Sequence, residues 1–186
     1  MLEPEEYLGA SLGTFLDAVA SGEPTPGGGA VCALCVAMAA ALVRMAASFS
    51  EGVFGDADVV GLEAESIRAA VAKLVADDAI AYTAVLAAMQ LDRNDPDRRR
   101  AMAEALGAAA DVPLRVAEAG ERVNALARQL VDAGNRNLRG DALTAAHLSA
   151  AATKSAAVLV AFNLSDEHDA RVQSARALAS RCSTPD

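Results

Sequence analysis

From Ala30 to Phe49 the sequence reads AVCALCVAMAAALVRMAASF, an apolar stretch whose one charge is Arg44. Three consecutive glycines, Gly27–Gly29, stand at its head. A helix that is apolar on every face has to be covered on every face, so the rest of the chain must supply several more helices. Arg44 breaks the run short of the ~18 uninterrupted apolar residues that a membrane span wants, and no aromatic belt flanks it. It reads as the buried helix of a soluble protein, with no membrane partner. Hydrophobic residues make up 53% of the chain and aromatic residues only 3%. Small side chains let helices approach closely, whereas strands favour β-branched and aromatic residues. The expected fold is all-α, a multi-helix bundle of long Ala-rich helices.

The periodicity places those helices. Leu8, Leu12, Phe15, Leu16 and Val19 recur at helical spacing, and Gly22 with Pro24 ends that segment. The second helix begins within or just after the glycines and reaches about Phe49. After a loop, SEGVFGDAD, a long helix spans about Val59 to Leu91, striped by Ile67, Val71, Leu74, Val75, Val85, Leu86 and Met89. Asp95 suits a cap and Pro96 the first helical position of the next helix, while Pro113 predicts a break or kink near Asp111. That segment ends at Gly134. The loop GNRNLRGD leads into a helix from Asp141 to about Leu164, and Ser165 is expected to cap a last helix through Arg181. The 186 residues fit one domain, 1–186, with no strand, repeat or linker.

A formal charge of −9 argues against a nucleic-acid partner, which needs a basic footprint. Cys32, Cys35 and Cys182 form no disulfide framework and point to a reducing compartment. The acidic start, MLEPEEYLGA, is unlike a signal peptide, so the expected location is cytoplasmic. Cys32 and Cys35 have the spacing of half a zinc site but no second pair; they read as small hydrophobes, and no metal is expected. Arg98–Arg100 reads as a solvated helix face.

Four features could carry chemistry. Gly27–Gly29 lacks the spacing of a P-loop or a dinucleotide fingerprint. It leaves a helix N-terminus bare of side chains, suited either to a ligand or to a close-packed neighbouring helix. Asp78 lies on an apolar stripe, seven residues before Val85, with Tyr82 one turn on. A carboxylate there either faces a pocket, its pKa raised by desolvation, or pairs inside the bundle, for instance with Arg44. Asn135, Asn137 and Asp141 fall within seven residues at a helix start, as a polar constellation or, for Asp141, as a cap. Lys154 is the single charge between Ala142 and Leu164 and wants an acidic partner or an anionic ligand; His147 shares its face.

Taken together, PTPGGGAVCAL, DDAIAYTAVLAAMQL, ALGAAADVPLRVAE and GNRNLRGDALTAAHLSAAATKSAAVLVAFNL resemble the C-terminal domain of the formiminotransferase-cyclodeaminase family, which includes methenyltetrahydrofolate cyclohydrolases. The likeness runs from about Leu12 to Leu164. It implies a homodimer and an enzyme acting on the one-carbon bridge between N5 and N10 of tetrahydrofolate, the folate being substrate. Asp141 and Asp78 would then be catalytic. Thr25, Gly27, Gly28, Gly29, Tyr82, Asn135, Asn137 and Lys154 would line the folate site, Lys154 or Arg136 and Arg139 meeting the glutamate tail. The family usually has serine where this chain has Ala30 and Gly140. The rival expectation is therefore a folate-binding or structural dimeric bundle without turnover.

Overall fold

The computed structural model describes residues 2–184. Its order of elements is a short 3-10 turn at Pro4–Glu6, then α1 (Leu12–Val19), α2 (Gly28–Ser48), α3 (Ala57–Gln90), α4 (Arg98–Ala133), a second 3-10 turn at Arg136–Leu138, α5 (Arg139–Leu164) and α6 (Ala170–Arg181). No strand occurs among the described residues, so the all-helical expectation holds. Met1, Pro185 and Asp186, part of the expected 1–186 domain, lie outside the described residues.

Several boundaries move for identifiable reasons. Leu8 lies before α1, whose start is set by Ser11: its hydroxyl accepts the Thr14 N–H at 3.1 Å. Asp95 does not cap α4. Its carboxylate accepts the Asp97 N–H in a local turn, and the helix begins at Arg98 with Pro96 outside it. Arg98 reaches back instead, donating to the Leu91 and Met89 carbonyls at the end of α3. Ser165 ends α5 in the left-handed conformation, φ 56°, and the cap of α6 is Asp169, which accepts the Arg171 N–H. At Pro113 the expected break does not occur: α4 runs through it over 36 residues.

α2, α3, α4 and α5 form an up-down bundle, each helix antiparallel to the next, and α5 closes back on α2. Matching contacts fix the register: Ala47 against Gly61 and Ala30 against Asp78 across α2 and α3, Gly120 against Thr153 across α4 and α5. At Gly120 any side chain would run into the Thr153 hydroxyl and Val36, so glycine is what lets α4 seat against α2 and α5. The core that results is built of alanine and valine, with Val36, Val43, Val71, Val75, Val116, Val123 and Val160 fully enclosed. α2 and the stretch Arg136–Leu164 are each long and apolar enough to cross a membrane. Both are packed against their bundle neighbours, as core helices are. Asn124 ties in the chain end, donating to the Ala146 and Ser183 carbonyls at 2.8 and 3.1 Å.

One asymmetry positions the site. α2 begins at Gly28 and α5 ends at Leu164 at the same end of the bundle, whereas α3 continues twelve residues beyond Asp78 before turning into α4. At 1.5 Å per residue that overhang is about 18 Å. The shoulder left where two helices stop and two run on holds a cavity.

Candidate active site

The cavity measures about 270 Å³ and is lined by Pro24, Thr25, Gly27, Gly28, Gly29, Asp78, Tyr82, Pro113, Leu159 and Asn163. Its floor is the start of α2. The Asp78 carboxylate lies on that start, its Oδ2 accepting the Ala30 N–H at 3.0 Å. A Cβ on Gly29 would overlap the carboxyl group, so this glycine is required by close approach. Gly28 is different: a Cβ there would meet only Leu159 at 3.8 Å, an ordinary contact. The bare helix start thus receives a carboxyl group, but that group is the protein's own. The alternative partner for Asp78, Arg44, packs instead beside Gly61, well down the α2–α3 seam.

Two effects compete on Asp78. Burial raises its pKa above 3.8, and the Ala30 hydrogen bond at the helix N-terminus lowers it; burial wins. A desolvated carboxyl facing a cavity takes up and releases a proton more readily near neutrality than an ordinary aspartate does. Tyr82, one turn further along α3, lines the same space and is half exposed. Asp77 turns away and pairs with Arg115 on the surface, 3.4 Å away. Cys32 and Cys35 belong to the packing beneath: burial, with Cys35 and Asp78 adding to it, pushes the Cys32 thiol up to about 11. A thiol held protonated is a poor metal ligand or nucleophile.

The second group of candidates is elsewhere. Asp141 precedes Leu159 by eighteen residues on α5, about 27 Å along the axis. It lies in the first turn of the helix, which starts at Arg139, so it is not the N-cap. The Asn135 side chain is engaged in the loop itself: its Nδ2 donates to the Phe49 carbonyl at 2.9 Å and its Oδ1 accepts the Asn137 N–H at 3.0 Å. Asn137 is exposed on the intervening turn. Lys154 faces outward beside Val158, Phe162 and Arg176, in a groove between α5 and α6. Within one chain, therefore, Thr25, Gly27, Gly28, Gly29, Asp78 and Tyr82 converge, and Asn135, Asn137, Asp141 and Lys154 do not join them. Larger hollows occur at the Arg93–Leu106 turn and beside Val131–Arg139.

Pro24, Pro113, Leu159 and Asn163 also line the cavity, although the sequence did not point to them as site residues. Asn163 carried a signal, since it falls seven residues after Ala156 and four after Leu159, on the stripe that faces the core.

Fold and site together define a class: an up-down helical bundle with one desolvated carboxyl laid on the bare start of its central helix. The chain belongs to the formiminotransferase-cyclodeaminase family, whose model matches residues 11–181. It is 38% identical over 160 residues to the methenyltetrahydrofolate cyclohydrolase of Methylorubrum extorquens, covering 81% of this chain and 77% of that one. To the formimidoyltransferase-cyclodeaminase of Rattus norvegicus it is 32% identical over 180 residues; these cover 89% of this chain but 33% of the rat protein, about a third of its length. The formiminotetrahydrofolate cyclodeaminase structure from Thermotoga maritima superposes with a TM-score of 0.81 at 30% identity, covering 93% of this chain and 91% of that one.

Proposed function

We propose that the chain is a folate one-carbon enzyme that opens the five-membered ring of 5,10-methenyltetrahydrofolate, a cyclohydrolase. The observation that carries this is Asp78, a half-buried carboxyl laid on the bare start of α2, accepting the Ala30 N–H and lining the cavity, its pKa raised by burial. The Methylorubrum extorquens relative, matched over most of its own length, bears the cyclohydrolase name, which favours water over an internal amine as the attacking group.

The chemistry suits the geometry. The methenyl carbon is an amidinium cation, and a carboxylate in a low-dielectric cavity stabilises it more than water would. Water attacks that carbon and gives one proton to Asp78. The proton passes to N5 as the C–N5 bond breaks and its electron pair stays on nitrogen. The remaining hydroxyl proton leaves to solvent as the formyl C=O forms on N10. A cavity of about 270 Å³ is slightly smaller than the ~300–1,000 Å³ of pockets that bury a whole drug-sized ligand. It accommodates the ring system, with the aminobenzoyl-glutamate lying outside along the α3–α4 overhang.

Purified protein given 5,10-methenyltetrahydrofolate should form 10-formyltetrahydrofolate well above the uncatalysed rate. Ammonia release from 5-formiminotetrahydrofolate would place the chain on the cyclodeaminase side instead. Binding of either folate with no turnover would make it a non-catalytic folate-binding bundle.

The separation of Asp141 from Asp78 bears on assembly. In our reading the enzyme is a cytoplasmic homodimer, and the Asn135–Asp141 loop of one copy completes the Asp78 cavity of the other. Large apolar side chains left exposed support a second copy: Met45 and Phe49 at the end of α2, and Val59 and Leu62 at the start of α3 beside it. Mixing two inactive variants tests this. Asp78→Asn and Asp141→Asn protomers, unfolded and refolded together in equal amounts, should recover about a quarter of wild-type activity. Half the dimers are then mixed, and each of these has one site with both acids intact. An Asp141→Asn protein as active as wild type, or a mixture with no recovery, sinks the shared site.

A further inference from the structure

α4 passes through Pro113 without breaking, and the reason lies in the cavity wall. Proline has no N–H, so the carbonyl four residues back, that of Ala109, loses its helical donor. A buried carbonyl without a partner is destabilising. Asn163, from α5, supplies the replacement: its Nδ2 donates to the Ala109 carbonyl at 2.9 Å. Ala109 is buried and Asn163 half-buried.

That bond also fixes which way round the amide lies. A carbonyl accepts and cannot donate, so the NH₂ end of Asn163 must face Ala109 and the oxygen must face away. The Oδ1 has no partner among the described residues and is not among the sealed, unsatisfied atoms. Asn163 lines the same cavity as Asp78. Pro113 and Asn163 therefore act as a pair: one creates an orphan carbonyl, and the other is locked by it.

We propose that Asn163 is a substrate-positioning residue whose clamped Oδ1 accepts a hydrogen bond from a ring N–H of the bound molecule. The class of ligand is a flat heterocycle presenting N–H donors on its edge. This rests on the folate reading above, in which the reduced pterin has such donors at its 2-amino group, N3 and N8. A clamped amide cannot rotate its donor end toward the ligand, so the site discriminates for donors and against acceptors there.

The test must separate holding α4 from holding substrate. Asn163→Ala alone does both kinds of damage. Pro113→Ala restores the N–H that the Ala109 carbonyl lacks, so Asn163→Ala in a Pro113→Ala background leaves that carbonyl satisfied. We expect the double variant to melt with Pro113→Ala but to bind 5,10-methenyltetrahydrofolate about tenfold more weakly than Pro113→Ala, the scale of one lost hydrogen bond. KM should rise by the same factor, with kcat nearly unchanged. Equal affinity in the double variant and in Pro113→Ala would overturn the proposal and leave Asn163 as a prop for the helix. If the wild-type protein binds neither this folate nor 5-formiminotetrahydrofolate, the folate reading itself fails, and this inference falls with it.

Discussion

Asp78→Asn should lower turnover of the folate substrate by about 10²–10⁴, the range for a positioned acid–base group, without lowering the melting temperature. The substitution keeps an oxygen for the Ala30 N–H and removes only the charge and the exchangeable proton. Burial holds the pKa of Asp78 above 3.8, so the fold prefers the neutral form. The sign follows from linkage: stability from this group is fully present below 3.8 and is lost as pH rises through the folded value. Above the folded value the ionised carboxyl costs the protein stability, and asparagine removes that cost. Activity runs the other way, because water attack needs the carboxylate. The rate in wild type should fall as pH drops through a value above 3.8, and a cationic substrate bound alongside would draw that value down again. An Asp78→Asn enzyme retaining more than a tenth of wild-type turnover, or melting well below wild type at pH 7, contradicts the assignment. A loss of stability without loss of rate would make the carboxyl a structural cap for α2.

How much of this was legible in the sequence varies by element. The Ala30–Phe49 run announced a central helix because a helix apolar on all sides has only one place to go. Asp78 stood out since a charge on an apolar stripe demands an explanation, and the stripe could be counted. The caps were harder: Asp95, Asp97, Ser165 and Asp169 are all competent capping residues, and the choice among them depends on where the chain turns back. The break expected at Pro113 does not occur because the replacement donor lies outside its own helix: Asn163, which serves the Ala109 carbonyl, is fifty-four residues away on α5. The same non-locality divided the expected site. Asp141 and Asp78 look like partners in a list of motifs, yet antiparallel packing of α5 puts about 27 Å between Asp141 and the Leu159 level of the cavity. Sequence order reveals which residue types are present, whereas register decides which of them meet.

The glycines give the second large effect, and a discriminating one. Gly29→Ala should inactivate about as strongly as Asp78→Asn, whereas Gly28→Ala, one residue earlier, should retain far more activity. At position 29 the added methyl falls on the Asp78 carboxyl group, which must swing off the Ala30 N–H and out of its place in the cavity. At position 28 the nearest atom is a Leu159 methyl at 3.8 Å, and nothing need move. Stability should change little in either variant. Alanine gains up to about 1 kcal/mol over glycine in a helix, and a lost hydrogen bond removes about the same amount. Because 1 kcal/mol shifts the melting temperature of a chain this size by about 2–4 °C, Gly29→Ala should melt close to wild type. A coupling cycle isolates the cause: with no carboxyl to displace, Gly29→Ala should stabilise an Asp78→Ala protein by the alanine gain of up to about 1 kcal/mol that the lost hydrogen bond cancels in wild type. A Gly29→Ala enzyme as fast as wild type would mean that the carboxyl can work from elsewhere. The bare start of α2 would then be a turn, with no part in placing the acid.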